Sequence, residues 1–252
     1  MSRLVVLPVA IAAVVAALFA PRSAHAADEP KDILEKAIKA HGGEEYLTKH
    51  RAAELKAKGK IDLPGVGEVD FTQETAYMLP DKFRDSLELT IAGKSIPVKT
   101  LINGDDISIE ANGMEVKIDD KAKESIKDIS HVLEVFQLVP LKDKKYELNI
   151  IGDDKVEGKA VVGIRISTKG KKDVSAYFYK DSGLLAKMEY HTVDAGSGNE
   201  ITEERIVTEY QKQDGKPIAK SILVKRDGKK FLEAEVLEVK RYEKLDDSVF
   251  KK

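Results

Sequence analysis

The feature that constrains this chain most is a period of two that begins near residue 53 and, after one interruption, runs almost to the end. Leu55, Ala57, Gly59 and Ile61 alternate with charged residues, and after the turn Pro64-Gly65-Val66-Gly67, Val69 and Phe71 alternate with Glu68, Asp70 and Thr72. Alternation of this kind buries one face of a strand and leaves the other in water. Four more runs follow: 83–91, 96–102, 107–111 and 114–118. Short turn sequences divide them, and one of these, Asn112-Gly113, is the two-residue hairpin signature. No crossover helix fits between them, so this half reads as an antiparallel meander.

The interruption covers residues 119–140. Ile126, Ile129, Val132, Leu133 and Phe136 recur at three- and four-residue spacing, with Lys and Glu on the first half of the other face. Asp119 or Asp120 can cap the start, and Pro140 ends the run. Strands then resume over 146–151, 159–167, 174–179, 185–193, 201–213, 217–225 and 231–242. A second amphipathic helix opens at Pro30, with Ile33, Leu34, Ala37 and Ile38 on one side and Gly42-Gly43 as its stop. A short turn with Tyr46 and Leu47 inward follows it.

About thirteen strands with two or three helices cannot remain flat, because sheets twist and curl. The expectation is a mainly β fold with a few helices: a curved antiparallel sheet or half-barrel whose concave face is covered by helices. A hollow of that kind is a ligand cavity unless side chains fill it.

The N-terminus reads as an export signal. Arg3 precedes an apolar run from Leu4 to Ala20, and Ala24-His25-Ala26 is a small-residue cleavage sequence. The expected organisation is a signal peptide at 1–26 and a single domain at 27–252. The expected location of the processed chain is the periplasm or the outside, in soluble form. The whole chain has 42 Lys plus Arg and 44 Asp plus Glu, a net charge of −2. This gives no basic footprint for nucleic acid. There are no cysteines, which excludes disulfides, thiol nucleophiles and thiolate metal sites. With no Trp and only 7 Phe and 8 Tyr, aromatic stacking platforms are not expected either.

Catalytic patterns are absent. There is no G-x-S-x-G, and Ser182-Gly183 and Ser197-Gly198 read as turns. His41, His50, His131 and His191 show no metal-ligand spacing. Asp153-Asp154-Lys155 has Lys where a calcium loop needs a ligand. His41, before Gly42-Gly43, is expected at a helix C-terminus, where the dipole favours its protonated form. His131 is expected at the solvent edge of the central helix. No metal and no cofactor is expected.

Two stretches carry a family resemblance. One is Ala37-Ile-Lys-Ala-His-Gly-Gly43 through Tyr46-Leu47 and into Lys58-Gly59. The other comprises Asp181-Ser-Gly-Leu-Leu185, Ile206 to Tyr210, Asp214-Gly-Lys-Pro217, Lys225-Arg-Asp-Gly228 and Leu245-Asp-Asp-Ser-Val-Phe250. The chain resembles the exported outer-membrane lipoprotein-sorting family (LolA/LolB-like). That resemblance implies an antiparallel half-barrel covered by helices, whose hollow holds acyl chains and performs no catalysis. It also implies a hydrophobic partner, such as lipid or lipoprotein acyl chains, and envelope membrane proteins as further partners.

Only one parity of each strand can line a hollow. The candidate lining residues are Phe71, Leu89, Ile102, Ile109, Met114, Ile164, Phe178, Met188, Ile206 and Ile222, with Leu133 and Phe136 from the central helix. Bulges in curved sheets can shift parity by one near turns. The set is apolar, so the expected ligand is an acyl chain. The competing reading is a structural or interaction module whose own side chains fill the hollow, and the remote one is an unrecognised enzyme.

Overall fold

The structure, a computed structural model, describes residues 29–194 and 198–251. The candidate signal at 1–26 and Ser197 lie outside the described residues. Thirteen strands form one antiparallel sheet: β1 (Ala52–Leu63), β2 (Gly67–Met78), β3 (Lys82–Ile91), β4 (Lys94–Asn103), β5 (Asp106–Ala111), β6 (Met114–Val116), β7 (Tyr146–Val156), β8 (Lys159–Thr168), β9 (Val174–Tyr179), β10 (Leu185–Val193), β11 (Glu200–Gln213), β12 (Lys216–Arg226) and β13 (Lys229–Tyr242). The helices are α1 (Pro30–Ala40), α2 (Glu44–Lys49) and α3 (Asp120–Phe136).

The strand order is β6-β5-β4-β3-β2-β1-β13-β12-β11-β10-β9-β8-β7. Two meanders are therefore joined where the first strand pairs the last. The free edges are β6 and β7, and the segment linking these two edges is α3. The sheet is a curved half-barrel, not a closed barrel.

Local chemistry accounts for the turns and the helix starts. Asn112 and Gly113 both have positive φ, 51° and 77°. That is the backbone a two-residue hairpin matching strand twist requires, and Asn and Gly adopt it most readily. The Asp119 side chain accepts a hydrogen bond from Ala122 N at 2.8 Å and caps α3. Curvature has its own markers. A bulge shifts the β1–β13 register at Lys56/Ala57, and at Gly59 an added Cβ would collide with the Glu233 carbonyl.

The concave face carries most of the core. Ile33, Leu34, Ala37 and Ile38 of α1 and Val132 and Val135 of α3 pack with Ile164, Ile166, Ala176, Phe178, Leu185 and Met188 of β8–β10. On the other wing, Ile126 of α3 packs with Ala53, Tyr77, Phe83 and Ile102, and Ile129 and Leu133 pack partly against them. One helix thus bridges both wings of the sheet. The convex face of β1, β2, β12 and β13 is charged, with cross-strand pairs such as Lys56–Glu74 at 2.9 Å and Lys58–Glu235 at 3.3 Å. The C-terminal tail docks on the outer side as well. Phe250, fully buried, packs with Leu245, Ala52 and Ala76, and Lys82 pairs with Asp247 at 2.7 Å.

Two histidines differ from the sequence expectation. His41 does lie at the C-terminus of α1, but burial lowers its pKa and outweighs its bond to the Ala37 carbonyl. Its Nδ1 is 2.8 Å from Ala37 O, and Leu185 N donates to its Nε2 at 3.5 Å, so a neutral ring ties α1 to β10. His131 is buried and not at the solvent edge, with its ring stacked 6.2 Å from that of Tyr146. The end of α3 turns that position under the start of β7.

Candidate functional site

The candidate site is the concave face of the sheet. Register assigns each strand residue to a face, because partners across a ladder share a side. Phe83, Asp85, Leu87 and Leu89 of β3 face inward with Tyr77, Thr75, Gln73 and Phe71 of β2. Ile102 and Ile109 lie in the helix-covered cluster of that wing. Ile164, Phe178 and Met188 lie beneath α1 and α3. Ile222 is half-buried inward beside Ile218, Val236 and Val239. Leu133 and Phe136 sit half-buried on α3, in the two different wings.

Two candidates fall elsewhere. Ile206 pairs Lys187, whose partner across β9 is Tyr177, and it packs with Tyr177, Tyr179 and Ala186 on the convex face. Arg205 and Val207 take the inward positions beside it. Met114 has inward parity but lies on the three-residue edge strand β6 with 68% of its surface exposed, because nothing covers it.

The inward face divides into zones. One zone lies under α3 and is packed by Val132, Val135 and Ile126. A second zone consists of Ile61, Val69, Phe71, Leu89 and Ala234, flanked by the half-buried Leu63, Leu87, Ile91, Ile96, Val98, Phe231 and Leu232. No helical residue belongs to this second zone. Through Leu63 and Phe231 it adjoins an open depression of about 880 Å³, whose border is otherwise mostly turn and charged residues, among them Asp62, Asp194, Glu200, Arg226, Asp227, Lys229 and Lys230. A smaller cavity of about 390 Å³, bordered by Leu47, Arg51, Gln137 and Lys145, lies at the C-terminal end of α3.

Between the apolar zones runs a polar cluster that sequence reasoning missed. Glu203 is only 4% exposed. It accepts from Tyr190 OH at 2.6 Å, from Arg205 Nε at 2.9 Å and from Arg226 Nε at 3.2 Å. Arg226 also pairs Asp194 at 2.8 Å and stacks 3.5 Å over the Phe231 ring. Burial would raise the Glu203 pKa, but Arg205, Tyr190 and Arg226 together hold it below the ordinary carboxylate range. Arg205 itself keeps 49% of its side chain exposed although it faces inward. The hollow is therefore open to water at that point. On the opposite wing Asp85 accepts from Gln73 Nε2 at 2.9 Å and from Thr75 Oγ1 at 2.6 Å. Burial pushes the Asp85 carboxyl above its usual range, and those two bonds and the charge of Arg205 offset this only in part. The sequence signal for this cluster was the run Glu203-Glu204-Arg205, whose two outer charges share the inward parity.

No protein-family model matches the chain, and no curated protein does. Among solved structures, a LolA superfamily protein from Nitrosomonas europaea superposes with a TM-score of 0.54 at 10% identity, covering 90% of this chain and 99% of its own. A DUF1329 family protein from Desulfovibrio piger gives 0.50 at 13% identity, covering 89% and 98%. The fold is LolA-like. At these identities the likeness extends to the architecture of the LolA-like half-barrel, and the chemistry of its hollow is read from this chain's own residues. Among the described residues no cluster of His, Asp and Glu could hold a metal ion. Among them, too, no helix is long and apolar enough to cross a membrane.

Proposed function

We propose that this protein is an exported, non-enzymatic carrier that binds the acyl chain of a lipid or lipoprotein in its half-barrel hollow. The observation that carries the reading is the apolar band on β1–β4 and β13, whose buried centre no helical residue joins and whose half-buried flanks Leu63 and Phe231 border an open depression of about 880 Å³. That volume falls in the range of about 300–1,000 Å³ typical of ligand sites. Moving an acyl chain from water onto such a band is favourable by roughly 25 cal/mol per Å² buried, with no specific contact required. The half-buried Ile222, Leu87, Val98 and Phe231 then contact the ligand, with Phe71 and Leu89 buried behind them. Ile102, Ile109, Leu133, Phe136, Ile164, Phe178 and Met188 form the packed floor under α3. Ile206, on the outer face, and the exposed Met114 drop out of the set.

One observation favours the rival, a filled structural module: the apolar stripe of α3 is already packed against both wings. Titration with a fluorescent fatty acid separates the two. Wild type is expected to bind saturably at micromolar concentration, and Leu87→Glu, which puts a carboxylate in the uncovered band, is expected to abolish binding while the chain stays folded by circular dichroism. Absence of saturable binding by wild type would leave the filled module standing.

A further inference from the structure

Three side chains among the described residues bury a polar atom with no hydrogen-bond partner: Arg84, His131 and Gln137. Of these, His131 is the one whose charge changes near neutral pH. It lies in the C-terminal half of α3, is 5% exposed, and its Nε2 is the sealed atom. Its ring stacks on that of Tyr146 at the start of β7, 6.2 Å between centroids and 11° from parallel. A neutral imidazole leaves at most one nitrogen unsatisfied in such a place. An imidazolium would bury an N–H without an acceptor and a full charge as well.

The charged groups around the ring come from three elements. On α3 itself, Asp128 and Glu134 lie about one turn to either side. The turn between β8 and β9 brings Lys171, which pairs Asp128 at 3.7 Å, and the Lys172 backbone, which accepts from the ring. The start of β7 brings Tyr146, whose phenol burial keeps neutral, and just before it Lys145, which pairs Glu134 at 3.0 Å. Both acids are thus already matched by lysines, and neither is a free counter-ion for an imidazolium. Burial, aided by the charge of Lys171, outweighs the two acids and the Lys172 carbonyl and lowers the His131 pKa.

The two halves of α3 are held differently. The first half is tied by the Ser125 hydroxyl, 3.1 Å from Thr192 Oγ1, and by the packing of Ile126. The second half packs through Val132 and Val135, with Leu133 and Phe136 only half-buried. A cavity of about 390 Å³, bordered by Glu134, Gln137, Asp143 and Lys145, lies at its end. Close packing therefore does not back the helix there. Just beyond, Leu138 is held at φ 63°, a left-handed backbone that disfavours any side chain.

We infer that the C-terminal half of α3 is a proton-released cover: protonation of His131 frees residues 128–136 from β7–β9, uncovering the apolar floor of Ile164, Phe178 and Met188. The first half stays in place through Ser125 and Ile126. In the closed form His131 is neutral, and in the open form it titrates at the ordinary value of about 6.5. The closed form keeps its full advantage above that value. It loses up to tenfold per pH unit as the pH falls from there toward the lowered value. The release needs no ligand. Its use, extending the acyl surface in acidic surroundings, rests on the carrier reading.

Hydrogen exchange of the purified chain at pH 7.5 and 5.5, corrected for the intrinsic pH dependence of exchange, tests the release. Protection of residues 128–136 in wild type is expected to fall about tenfold between the two. His131→Phe keeps a ring on Tyr146 and takes up no proton, so its protection is expected not to change with pH. His131→Gln, also neutral, is the second variant should the first fail to fold. His41→Asn removes the other buried neutral histidine, on the α1 side, and is expected to leave the response of α3 intact. Unchanged wild-type protection, or an equal fall in folded His131→Phe or His131→Gln, overturns the proposal. A neutral fluorescent long-chain alcohol, whose own charge does not vary, is expected to bind wild type severalfold more tightly at pH 5.5, and His131→Phe equally at both. Binding that ignores pH while α3 opens would overturn the link to the ligand. Absence of binding at either pH would sink the carrier reading, and exchange alone would still decide the release.

Discussion

Asp85 shows how a single inward-facing residue can cost stability. Burial holds its folded-state pKa above the ordinary value of 3.8. The ionised form is therefore less favoured in the folded chain than in the unfolded one. Stability contributed by the neutral carboxyl is lost as pH rises from the ordinary value through the folded value, and the deficit persists above it. Asp85→Asn keeps an acceptor for Gln73 and Thr75 and removes the charge. It is expected to be more stable than wild type at pH 7, with the difference vanishing below about pH 3, where both side chains are neutral. Urea unfolding at the two pH values checks this; a variant less stable at pH 7 would show that the carboxylate contributes to folding.

At the scale of elements, α3 divides the hollow into a packed part and an open part. Two rings, one on the sheet and one on α3 itself, are held differently: Phe178 is 1% exposed, whereas Phe136 packs only partly against the same cluster. Phe178→Ala is expected to cost roughly 3–5 kcal/mol, the range for a fully buried ring. Phe136→Ala is expected to cost clearly less, because less of its surface leaves water on folding. Equilibrium urea unfolding of both variants checks the ranking, and equal losses would mean that α3 is packed as tightly as the sheet. Strand β11 shows where the alternation rule failed. Ile206 and Val207 are adjacent and both buried, one on each face, because the convex side of β9–β11 carries an apolar cluster of its own. Two register shifts follow directly, between Val207 and Tyr210. Hydrophobicity alone could not say which of the two neighbours faces the hollow.

At the scale of the molecule, the two wings meet at β1 and β13, so the chain's first and last strands hold the fold together at its centre. The C-terminal Phe250 packs on the outer face beside that seam, with Ala52 of β1 and Ala76 of β2. Each described core cluster is built from residues between Ile33 and Phe250. N-terminal sequencing of the exported protein is expected to begin at Ala27, and recovery of an intact Arg3 segment from membrane fractions would show that the segment remains as an anchor.

Local chemistry in the sequence determined the elements. Period-two alternation, turn pairs such as Asn112-Gly113 and the three- and four-residue spacing of 126–136 act within a few residues, so they mark thirteen strands and a central helix before any fold is known. The apolar character of the inward face was legible for the same reason. The position of the charges was not. Glu203, Arg205 and Asp85 look like ordinary solvated residues in a strand, since a charge in sequence carries no label for the face it will occupy. Only the ladder register turns Glu203, Arg205 and Asp85 to the concave side, and only the packing of α3 leaves the far apolar band without a helical neighbour. α3 packs with strand residues tens of positions away on both sides, Ala53 and Phe178 among them, and no local pattern encodes that.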